Sequence, residues 1–495
     1  MNSPIDWRAE AARLDFRNQA FIDGRFTPAI SGKTFDTISP IDGRVLAHVA
    51  ACDAADIDRA VAAARAAFEK GSWSEVAPRQ RKRTLIKLAD LIAKHANELA
   101  LLETLDMGKP VRDARGDVAA VAECVRWYGE AIDKLYDEIA PTPRDALALI
   151  TREPVGIVAA VVPWNYPLLM AAWKFAPALA TGNSVVLKPA EQSPLSILRV
   201  AELAIEAGIP AGVFNVVPGF GETAGQALGR HMDVDAIAFT GSTSVGKLFL
   251  RYAGESNMKS VSLECGGKSP NIVFADAPDL DAAAEVAADG IFGNSGQVCD
   301  AGSRLLVEEK IHDAFLAKVS ELSRKYKPRD PLDPDTIMGS MVDRTQMDRV
   351  LGYIETGKSE GAALKVGGKQ ARIETGGFYI EPTIFAGVDN QMKIAREEIF
   401  GPVLATIPFS TADEAIRIAN DSIYGLEANI WTNDLTKAHK TARALRAGVV
   451  TINTRDAGGI VVPFGGYKQS GFGRDKSLHA LEKYTQLKAT YIKLG

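Results

Sequence analysis

The sequence is poor in cysteine and histidine and lacks any long apolar run. Only four cysteines occur among 495 residues, and no two of them are spaced as CxxC. Neither a zinc site nor a disulfide framework is therefore indicated. No stretch of about 18 uncharged apolar residues is present, which argues against a membrane-spanning helix. The first residues carry charges where a signal peptide needs an apolar core. Together with the cysteine pattern and the lack of a long apolar run, this leads us to expect a cytoplasmic protein with no metal and no membrane partner.

The charge is nearly balanced, and no block of basic residues stands out. Lys and Arg number 57 against 62 Asp and Glu, which gives a net charge of −5. We therefore expect no nucleic acid partner, because binding to a polyanion needs a basic surface. The composition, 46% hydrophobic and 24% charged, is typical of a soluble globular enzyme.

Apolar strand-like runs alternate with helical patterns through the middle of the chain. The strand-like runs are 157–164, 183–189, 213–218, 236–240 and 261–264, and the helical patterns between them are 168–180, 194–207, 224–230 and 244–253. This alternation predicts an α/β fold with a parallel sheet covered on both faces. Such a sheet binds ligands at the carboxyl ends of its strands.

A second α/β segment begins at Ser269. Its predicted strands are 270–274, 403–408, 428–431 and 449–453, and its predicted helices are 280–292 and 312–326. Residues 489–494 alternate like a lone strand with no hairpin partner. Such a strand must pair elsewhere, and another subunit is one candidate partner.

Two glycine-rich turns follow successive strands of the first segment. Gly241-Ser242 opens a helix that contains Gly246, and Gly221 ends the turn one βα unit earlier. The free N–H groups of such a helix can face a pyrophosphate, although a single turn of this kind is more often a connecting turn with no binding role. Glu191 follows an adjacent strand, where a carboxylate can accept both hydroxyls of an adenine ribose and favour NAD over NADP. The alternative for Glu191 is an exposed charged loop.

Two further residues have the chemistry for covalent catalysis. Cys299 lies between glycines after a helix, where it is either a nucleophile or a small buried apolar residue. Asp300 beside it is a mild argument against a thiolate. Glu264 ends a strand, where burial would raise its pKa and suit a general base. A structural salt bridge from Glu264 to Lys268 or another cation is an equally good interpretation.

Taken together, the motifs resemble those of the aldehyde dehydrogenase superfamily. The matching motifs are Pro163-Trp164-Asn165-Tyr166-Pro167, Lys188-Pro189-Ala190-Glu191, Phe239-Thr240-Gly241-Ser242, Leu263-Glu264-Cys265-Gly266-Gly267-Lys268, Gly296-Gln297-Val298-Cys299, Glu398-Ile399-Phe400-Gly401-Pro402 and Pro463-Phe464-Gly465-Gly466. Their order and spacing cover most of the chain. Segments 102–109 and 471–485 look most like the γ-glutamyl-γ-aminobutyraldehyde and ω-aminoaldehyde dehydrogenases.

The resemblance implies a fold and an assembly. It implies an aldehyde dehydrogenase fold whose Rossmann-like, parallel-sheet NAD-binding domain comprises residues 1–136 and 157–264. A second α/β domain, 265–474, would carry the catalytic cysteine. Residues 137–156 and 475–495 would form a small β oligomerisation element of a homodimer or homotetramer.

The resemblance also implies the site and its cofactor. The implied catalytic set is Cys299 as nucleophile, Glu264 as base for water, Asn165 as oxyanion donor, and Lys188. The implied cofactor-binding set is Trp164, Lys188, Glu191, Gly221, Gly241, Ser242, Gly246, Glu398 and Phe400. NAD is the expected cofactor, with NADP used more weakly.

The substrate region departs from the family pattern. Six residues before the nucleophile the family commonly has an aromatic residue, and this chain has Gly293. We expect a wide pocket for a bulky aldehyde, amino- or aromatic-substituted, unless a neighbouring side chain fills the space. The predicted substrate-pocket residues are Tyr166, Trp173, Gly293, Val298, Asp300, Asp456, Gly458 and Phe464, with Asp117 as a further carboxylate for an ammonium group.

Two other functions remain to be weighed. Enzymes of the same fold transfer the acyl group to coenzyme A, and those generally lack the water-activating glutamate. A protein that has kept the fold without catalysis would not need Cys299, Glu264 and Asn165 together. The residues therefore favour oxidation of a small-molecule aldehyde to the free carboxylic acid.

Overall fold

The structure is a computed structural model that describes residues 5–455 and 458–494. In chain order its strands are β1 (Ala20–Ile22), β2 (Arg25–Thr27), β3 (Thr34–Ile38), β4 (Val45–Ala50), β5 (Glu138–Ala140), β6 (Ala146–Pro154), β7 (Ile157–Val161), β8 (Ser184–Lys188), β9 (Phe214–Val216), β10 (Ala236–Thr240), β11 (Ser260–Glu264), β12 (Pro270–Val273), β13 (Arg304–Glu308), β14 (Ala363–Val366), β15 (Gln370–Ala371), β16 (Tyr379–Ile380), β17 (Thr383–Ala386), β18 (Val403–Phe409), β19 (Glu427–Trp431), β20 (Val449–Ile452), β21 (Gly471–Phe472) and β22 (Thr485–Lys493). Its α-helices are α1 (Trp7–Ala11), α2 (Ala54–Glu69), α3 (Pro78–Lys94), α4 (Ala96–Met107), α5 (Val111–Ala131), α6 (Pro167–Ala180), α7 (Leu195–Ala207), α8 (Gln226–Arg230), α9 (Thr243–Gly254), α10 (Leu280–Phe292), α11 (His312–Leu322), α12 (Arg344–Ser359), α13 (Lys393–Arg396), α14 (Ala412–Asn420) and α15 (Leu435–Ala444).

The first sheet confirms the predicted parallel arrangement. Its strand order is β2-β1-β9-β8-β7-β10-β11-β21, and the inner strands β9, β8, β7, β10 and β11 are parallel. Every residue of β7 is buried, and successive side chains enter opposite cores. Val158 and Ala160 pack on one side of the sheet, while Ile157 and Ala159 pack on the other. This double burial explains why the strand reads as an unbroken apolar run.

The second sheet has the order β14-β17-β18-β13-β12-β19-β20. Strands β12, β18, β19 and β20 match the four predicted strands. Strands β13, β14 and β17 were not predicted. Strand β13 lies between β18 and β12 in the middle of the sheet and pairs with both in parallel.

The terminal strand finds its partner within the chain. Strand β22 pairs antiparallel with β6 over its full length, from Thr485 opposite Pro154 to Lys493 opposite Ala146. The strand does pair elsewhere, as expected, but its partner is β6 of the same chain and not the candidate partner in another subunit. Strand β5 covers the other edge of β6. The three-stranded sheet leaves Leu487 and Tyr491 of β22 about two-thirds exposed, at 60% and 64%.

The strand order places several loops at one edge of the first sheet. The loops after β7, β8, β10 and β11 all leave the carboxyl ends of parallel strands, so they lie side by side. Strand β21, from residues 471–472, joins this sheet although the predicted boundary assigns it to the second domain. The domain boundaries stay a prediction. Within 5–455 and 458–494, no helix combines the length and apolar character needed to cross a membrane.

Candidate active site

A cleft of about 770 Å³ opens at the carboxyl edge of the first sheet. Its lining includes eight residues that the motifs singled out, namely Trp164, Asn165, Gly241, Ser242, Glu264, Cys299, Glu398 and Phe400. The first five come from loops and strand ends of the first sheet. The other three belong to segments on the far side of the cleft. The fold therefore brings together residues that stand up to 236 positions apart, between Trp164 and Phe400.

Cys299 follows a tight left-handed turn after helix α10. Asn294, Ser295 and Gly296 have positive φ angles of 47°, 55° and 71°. A Cβ atom at Gly296 would overlap the backbone carbonyl of Gly401. Only glycine fits there, and two strained non-glycine residues precede it. Backbone strain of this kind concentrates at functional sites because the surrounding structure must hold it.

Gln297 fastens this turn and joins it to Asn165. The fully buried Gln297 side chain accepts the Val342 N–H at 2.9 Å and donates to the carbonyl of Asn294 at 3.2 Å. Its backbone carbonyl accepts a hydrogen bond from Asn165 Nδ2 at 2.9 Å. In return, Asn294 Nδ2 donates to the Asn165 carbonyl at 3.1 Å. The Asn165 amide is thereby held against the loop that carries Cys299.

The thiol of Cys299 is half-buried, whereas Cys52, Cys124 and Cys265 are buried. Burial raises the pKa of the Cys299 thiol well above its ordinary value, and the neighbouring Asp300 carboxylate adds to the rise. The thiol is therefore protonated in the free protein at neutral pH. Since the thiolate is the nucleophilic form, attack requires removal of that proton.

Glu264 ends β11 with its carboxylate in the same cleft. The residue is 5% exposed, and its Oε2 has no hydrogen-bond partner within the described residues. Burial raises the pKa of Glu264 well above its ordinary value, Asp475 adds to the rise, and Lys174 opposes it. A carboxyl group with a raised pKa and an unused oxygen can accept a proton from water. The salt bridge to Lys268 considered from the sequence does not form, because Lys268 Nζ is itself without a partner among the described residues.

A buried ion network behind Glu264 was missed by the sequence analysis. Asp475 is fully buried and accepts hydrogen bonds from Nζ of Lys174 and of Lys483. One signal for it exists, because Lys174 is the lone charged residue of the apolar helix α6. A buried ammonium needs a partner. Its partner could not be named, because Asp475 lies 301 residues away in sequence.

Lys188 and Glu191 line an adjoining cleft of about 1080 Å³ at the end of β8. The buried Lys188 Nζ donates to the carbonyl of Pro189 at 2.8 Å and lies 3.5 Å from a Glu191 carboxylate oxygen. Burial lowers the pKa of Lys188, although Glu191 counteracts it. Glu191 is half-buried and keeps access to the cleft. An ammonium and a carboxylate at this edge can bind the hydroxyls of a ribose.

Ser242 and Gly221 also line this cleft. Ser242 caps helix α9, since its Oγ accepts the Val245 N–H at 3.4 Å, and the positive end of the helix dipole lies there. Gly221 has open space where a side chain would project. Gly246 does not line this cleft but packs against β11, where a Cβ atom on it would come 2.9 Å from Cys265 Sγ. Its small size lets α9 pack on β11.

Glu398 and Phe400 close the far side of the catalytic cleft. Glu398 accepts the Gly267 N–H at 3.2 Å, and a Cβ atom on Gly266 would overlap its carboxylate. Burial raises the pKa of Glu398 to about 7. The Phe400 ring meets the Trp164 ring edge-on, with centroids 5.2 Å apart. These contacts fix both side chains at the wall shared by the two halves of the molecule.

The predicted substrate-pocket residues divide between two cavities. Trp173 and Phe464 line the catalytic cleft, and their ring centroids are 5.3 Å apart. Tyr166, Gly293 and Val298 line a second cavity of about 690 Å³. Tyr166 therefore lines a different cavity from the Trp173 and Phe464 rings.

Of the remaining predicted substrate residues, Asp300 is paired with an arginine. Asp300 accepts a hydrogen bond from Arg455 Nη2 at 3.1 Å, so its carboxylate already has a cationic partner. Glu427 lies close by, and burial and the Asp300 carboxylate raise the pKa of Glu427 well above its ordinary value. Gly458 is exposed and has a positive φ of 95°. Asp456 lies outside the described residues.

A family model described as "Aldehyde dehydrogenase family" matches residues 26–490 of the chain. The chain belongs to the aldehyde dehydrogenase family. This confirms the resemblance drawn from the motifs, and the two parallel-sheet α/β units and small antiparallel sheet are those of the aldehyde dehydrogenase fold.

Individual relatives of this aldehyde dehydrogenase match it over nearly the whole length. The NADP/NAD-dependent aldehyde dehydrogenase PuuC of Escherichia coli is 55% identical over 489 residues, which span 99% of this chain and 98% of the relative. A crystallised γ-glutamyl-γ-aminobutyraldehyde dehydrogenase of Burkholderia cenocepacia is 60% identical, with a TM-score of 0.97 and 99% of each chain covered. The indole-3-acetaldehyde dehydrogenase AldA of P. syringae, in complex with NAD+ and IAA, is 62% identical, with a TM-score of 0.98 and 99% of each chain covered.

The raised pKa of Cys299 predicts how this aldehyde dehydrogenase reacts with an alkylating agent. We expect iodoacetamide to label Cys299 about tenfold faster for each unit of pH from about 7 to about 9, with no plateau, because the thiolate fraction keeps rising below the pKa. Labelling is followed by mass spectrometry of the peptide. A Cys299→Ala variant is the control, since its other cysteines are buried. A plateau below about pH 8 would contradict the burial argument.

Proposed function

We propose that the protein oxidises an aldehyde to the free carboxylic acid with NAD, by way of a thiohemiacetal and a thioester on Cys299. One observation carries this proposal. The half-buried Cys299 thiol lines the same cleft as the buried Glu264, whose Oε2 has no hydrogen-bond partner among the described residues, and Asn165 is hydrogen-bonded to the Cys299 loop. A nucleophile, a base and an oxyanion donor therefore converge on one space.

The residues of the adjoining clefts fit NAD. Lys188 and Glu191 would hold the adenine ribose, and Ser242 with the amino-terminal end of α9 would hold the pyrophosphate. Glu398 would hold the nicotinamide ribose beside Phe400. When bound, NAD supplies the acceptor for the hydride that leaves the substrate carbon. Because the Glu191 carboxylate would repel a 2′-phosphate, NAD should be used in preference to NADP.

The protein's own groups then divide the work. The Cys299 sulfur forms a bond to the aldehyde carbon, and the thiol proton passes to solvent water. Asn165 Nδ2 and the Cys299 backbone N–H donate to the oxyanion that develops, a contribution worth about 10²–10³ in rate per donor. Once the thioester exists, Glu264 accepts a proton from water as the water attacks the acyl carbon. The carbon–sulfur bond breaks, and the acid and the free thiol are released.

The second cavity supports a bulky substrate. Gly293 lines this cavity, and the atom nearest to the place of a Cβ on it is Asp289 Oδ1 at 3.5 Å, so a side chain added at this position would begin without a clash. Lys109 Nζ lies 3.7 Å from the centroid of the Tyr166 ring, which lines this cavity. We propose a bulky aldehyde with an amino- or aromatic-substituted distal end. Relatives named for γ-glutamyl-γ-aminobutyraldehyde and for indole-3-acetaldehyde support that range.

Assembly and location follow as smaller proposals. Exposed apolar side chains cluster on the three-stranded sheet, with Ile139 at 70%, Leu487 at 60% and Tyr491 at 64% exposure. We propose that residues 137–156 and 475–495 form the contact of a homodimer or homotetramer, beside an NAD-binding domain (1–136 and 157–264) and a catalytic domain (265–474). All four cysteines are free, which suits a reducing cytoplasm.

A panel of aldehydes tests the proposed reaction. With NAD, aldehydes should yield NADH and the free acid, and NADP should give a lower kcat/KM. Added coenzyme A should change neither rate nor product, because Glu264 directs water to the thioester. Formation of acyl-CoA would identify the acylating reaction instead. Absence of NADH with every aldehyde would identify a non-catalytic protein.

A matched pair of variants at Gly293 tests the substrate proposal. Gly293→Phe should lower kcat/KM for bulky aldehydes by about tenfold or more while sparing acetaldehyde and propanal, because the ring refills the cavity. Gly293→Ala is the control, since φ is −53° and the added methyl meets nothing closer than 3.5 Å. Unchanged activity of Gly293→Phe on bulky substrates, or a wild-type preference for acetaldehyde, would sink the wide-pocket proposal.

A further inference from the structure

Helix α4 carries two carboxyl groups into the protein core. Glu103 and Asp106 are each 1% exposed and stand three positions apart, so they share one face of the helix. Among the described residues, neither forms an ion pair with a basic side chain. Burial of a carboxyl group costs free energy unless its oxygens are hydrogen-bonded, so the hydrogen bonds of Glu103 and Asp106 indicate their roles.

Glu103 holds the start of α6. The helix begins at Pro167, which has no N–H, and its N-cap Tyr166 provides no side-chain hydrogen bond. The first free amide is therefore that of the buried Leu168, and Glu103 Oε1 accepts it at 2.7 Å. Leu168 is three residues beyond Asn165. The second oxygen of Glu103, Oε2, makes no hydrogen bond of good geometry among the described residues, and the Ser196 hydroxyl helps to stabilise the charged form of this carboxyl.

Asp106 holds the start of α7 in the same way. The N-cap residue of α7, Pro194, provides no side-chain hydrogen bond. Asp106 Oδ2 accepts the Leu195 N–H instead, at 2.9 Å. The other oxygen accepts the Thr37 hydroxyl at 2.9 Å. The loop immediately before α7 contains Glu191, which lines the cofactor cleft. One helix thus anchors the two loops that carry Asn165 and Glu191.

The carboxyl end of α4 also reaches the segment that supports Cys299. The carbonyl of Gly108 accepts the Ser340 N–H at 3.2 Å. The Ser340 carbonyl in turn accepts a hydrogen bond from Gln297 Nε2 at 3.4 Å, two residues before Cys299. Helix α4 therefore contacts the supports of Asn165 on one side of the cleft and of Cys299 on the other.

We propose that Glu103 and Asp106 are positioning residues with separate tasks: Glu103 sets the Asn165 amide against Cys299, and Asp106 sets the Glu191 loop for the cofactor. This inference rests on the roles of Asn165 and Glu191 given in the proposed function. Neither acid touches the reacting atoms. Their effects should accordingly appear in different kinetic constants, whereas a general loss of packing would change both together.

Substitutions that remove the acceptor should separate the two tasks. Glu103→Met should slow the first NADH-forming step by about tenfold, because the Leu168 amide loses its acceptor, while Kd for NAD stays within about twofold. Asp106→Leu should weaken NAD binding by about tenfold, measured by titration calorimetry, with little effect on that first step at saturating NAD.

Conservative variants provide the matched controls. Burial raises the pKa of Glu103 to about 7 and that of Asp106 to about 8, so both carboxyls carry a proton for much of the time near neutral pH. Glu103→Gln and Asp106→Asn keep an acceptor oxygen and should restore each constant to within about threefold of wild type. Thr37→Val, which removes one of the two Asp106 bonds, should raise Kd for NAD by about threefold and keeps the proposal testable if a larger change prevents folding.

A double-mutant cycle distinguishes positioning from general destabilisation. If Glu103 acts through Asn165, Glu103→Met should cost little on an Asn165→Ala background. Equal slowing on both backgrounds, or a parallel change of both constants in both acid variants, would overturn the inference. If Asn165→Ala itself leaves the first step unchanged, the oxyanion role in the proposed function fails instead. Each variant is first checked for wild-type circular dichroism and melting behaviour.

Discussion

The hydrogen bond from Asn165 Nδ2 to the carbonyl of Gln297, at 2.9 Å, joins the two halves of the catalytic cleft. Asn165 follows β7 of the first sheet, whereas Gln297 belongs to the loop that precedes β13 of the second. The left-handed turn at 294–296 places the Gln297 carbonyl where Asn165 donates to it, in the loop that carries Cys299. The distance between the amide and the thiol is therefore fixed by the packing of both sheets, and not by either loop alone.

Burial of the ionisable side chains determines the chemistry of this cleft. Burial raises the pKa of the Cys299 thiol, of Glu264 and of Glu398, because each charged form loses hydration. The site therefore rests with its thiol protonated. Behind Glu264, the ammonium groups of Lys174 and Lys483 flank Asp475 and keep positive charge close to the base. A buried carboxylate oxygen with no hydrogen-bond partner among the described residues favours proton transfer over permanent ion pairing.

The sequence predicted the parts of this protein whose causes are local. The apolar runs of β7 to β11 and the motifs around Cys299 and Glu264 could be recognised, because burial and tight turns leave direct patterns. Strand β13 was missed because its apolar run is only three residues long, from Leu305 to Val307, between charged residues. The Lys174–Asp475 pair and the division of Tyr166 from Trp173 depend on long-range packing, which the sequence does not display. The partner of β22 was misjudged for the same reason, since β6 precedes it by more than 300 residues.

The central claim is that Cys299 and Glu264 serve successive steps, which pre-steady-state kinetics of Glu264→Gln tests most directly. The amide keeps the shape of the side chain and removes its proton acceptor. The account predicts a rapid burst of about one NADH per site, since acylation does not need the base, followed by turnover slowed by about 10²-fold or more. Equal loss of the burst and of turnover would contradict the claim, and so would turnover at the wild-type rate.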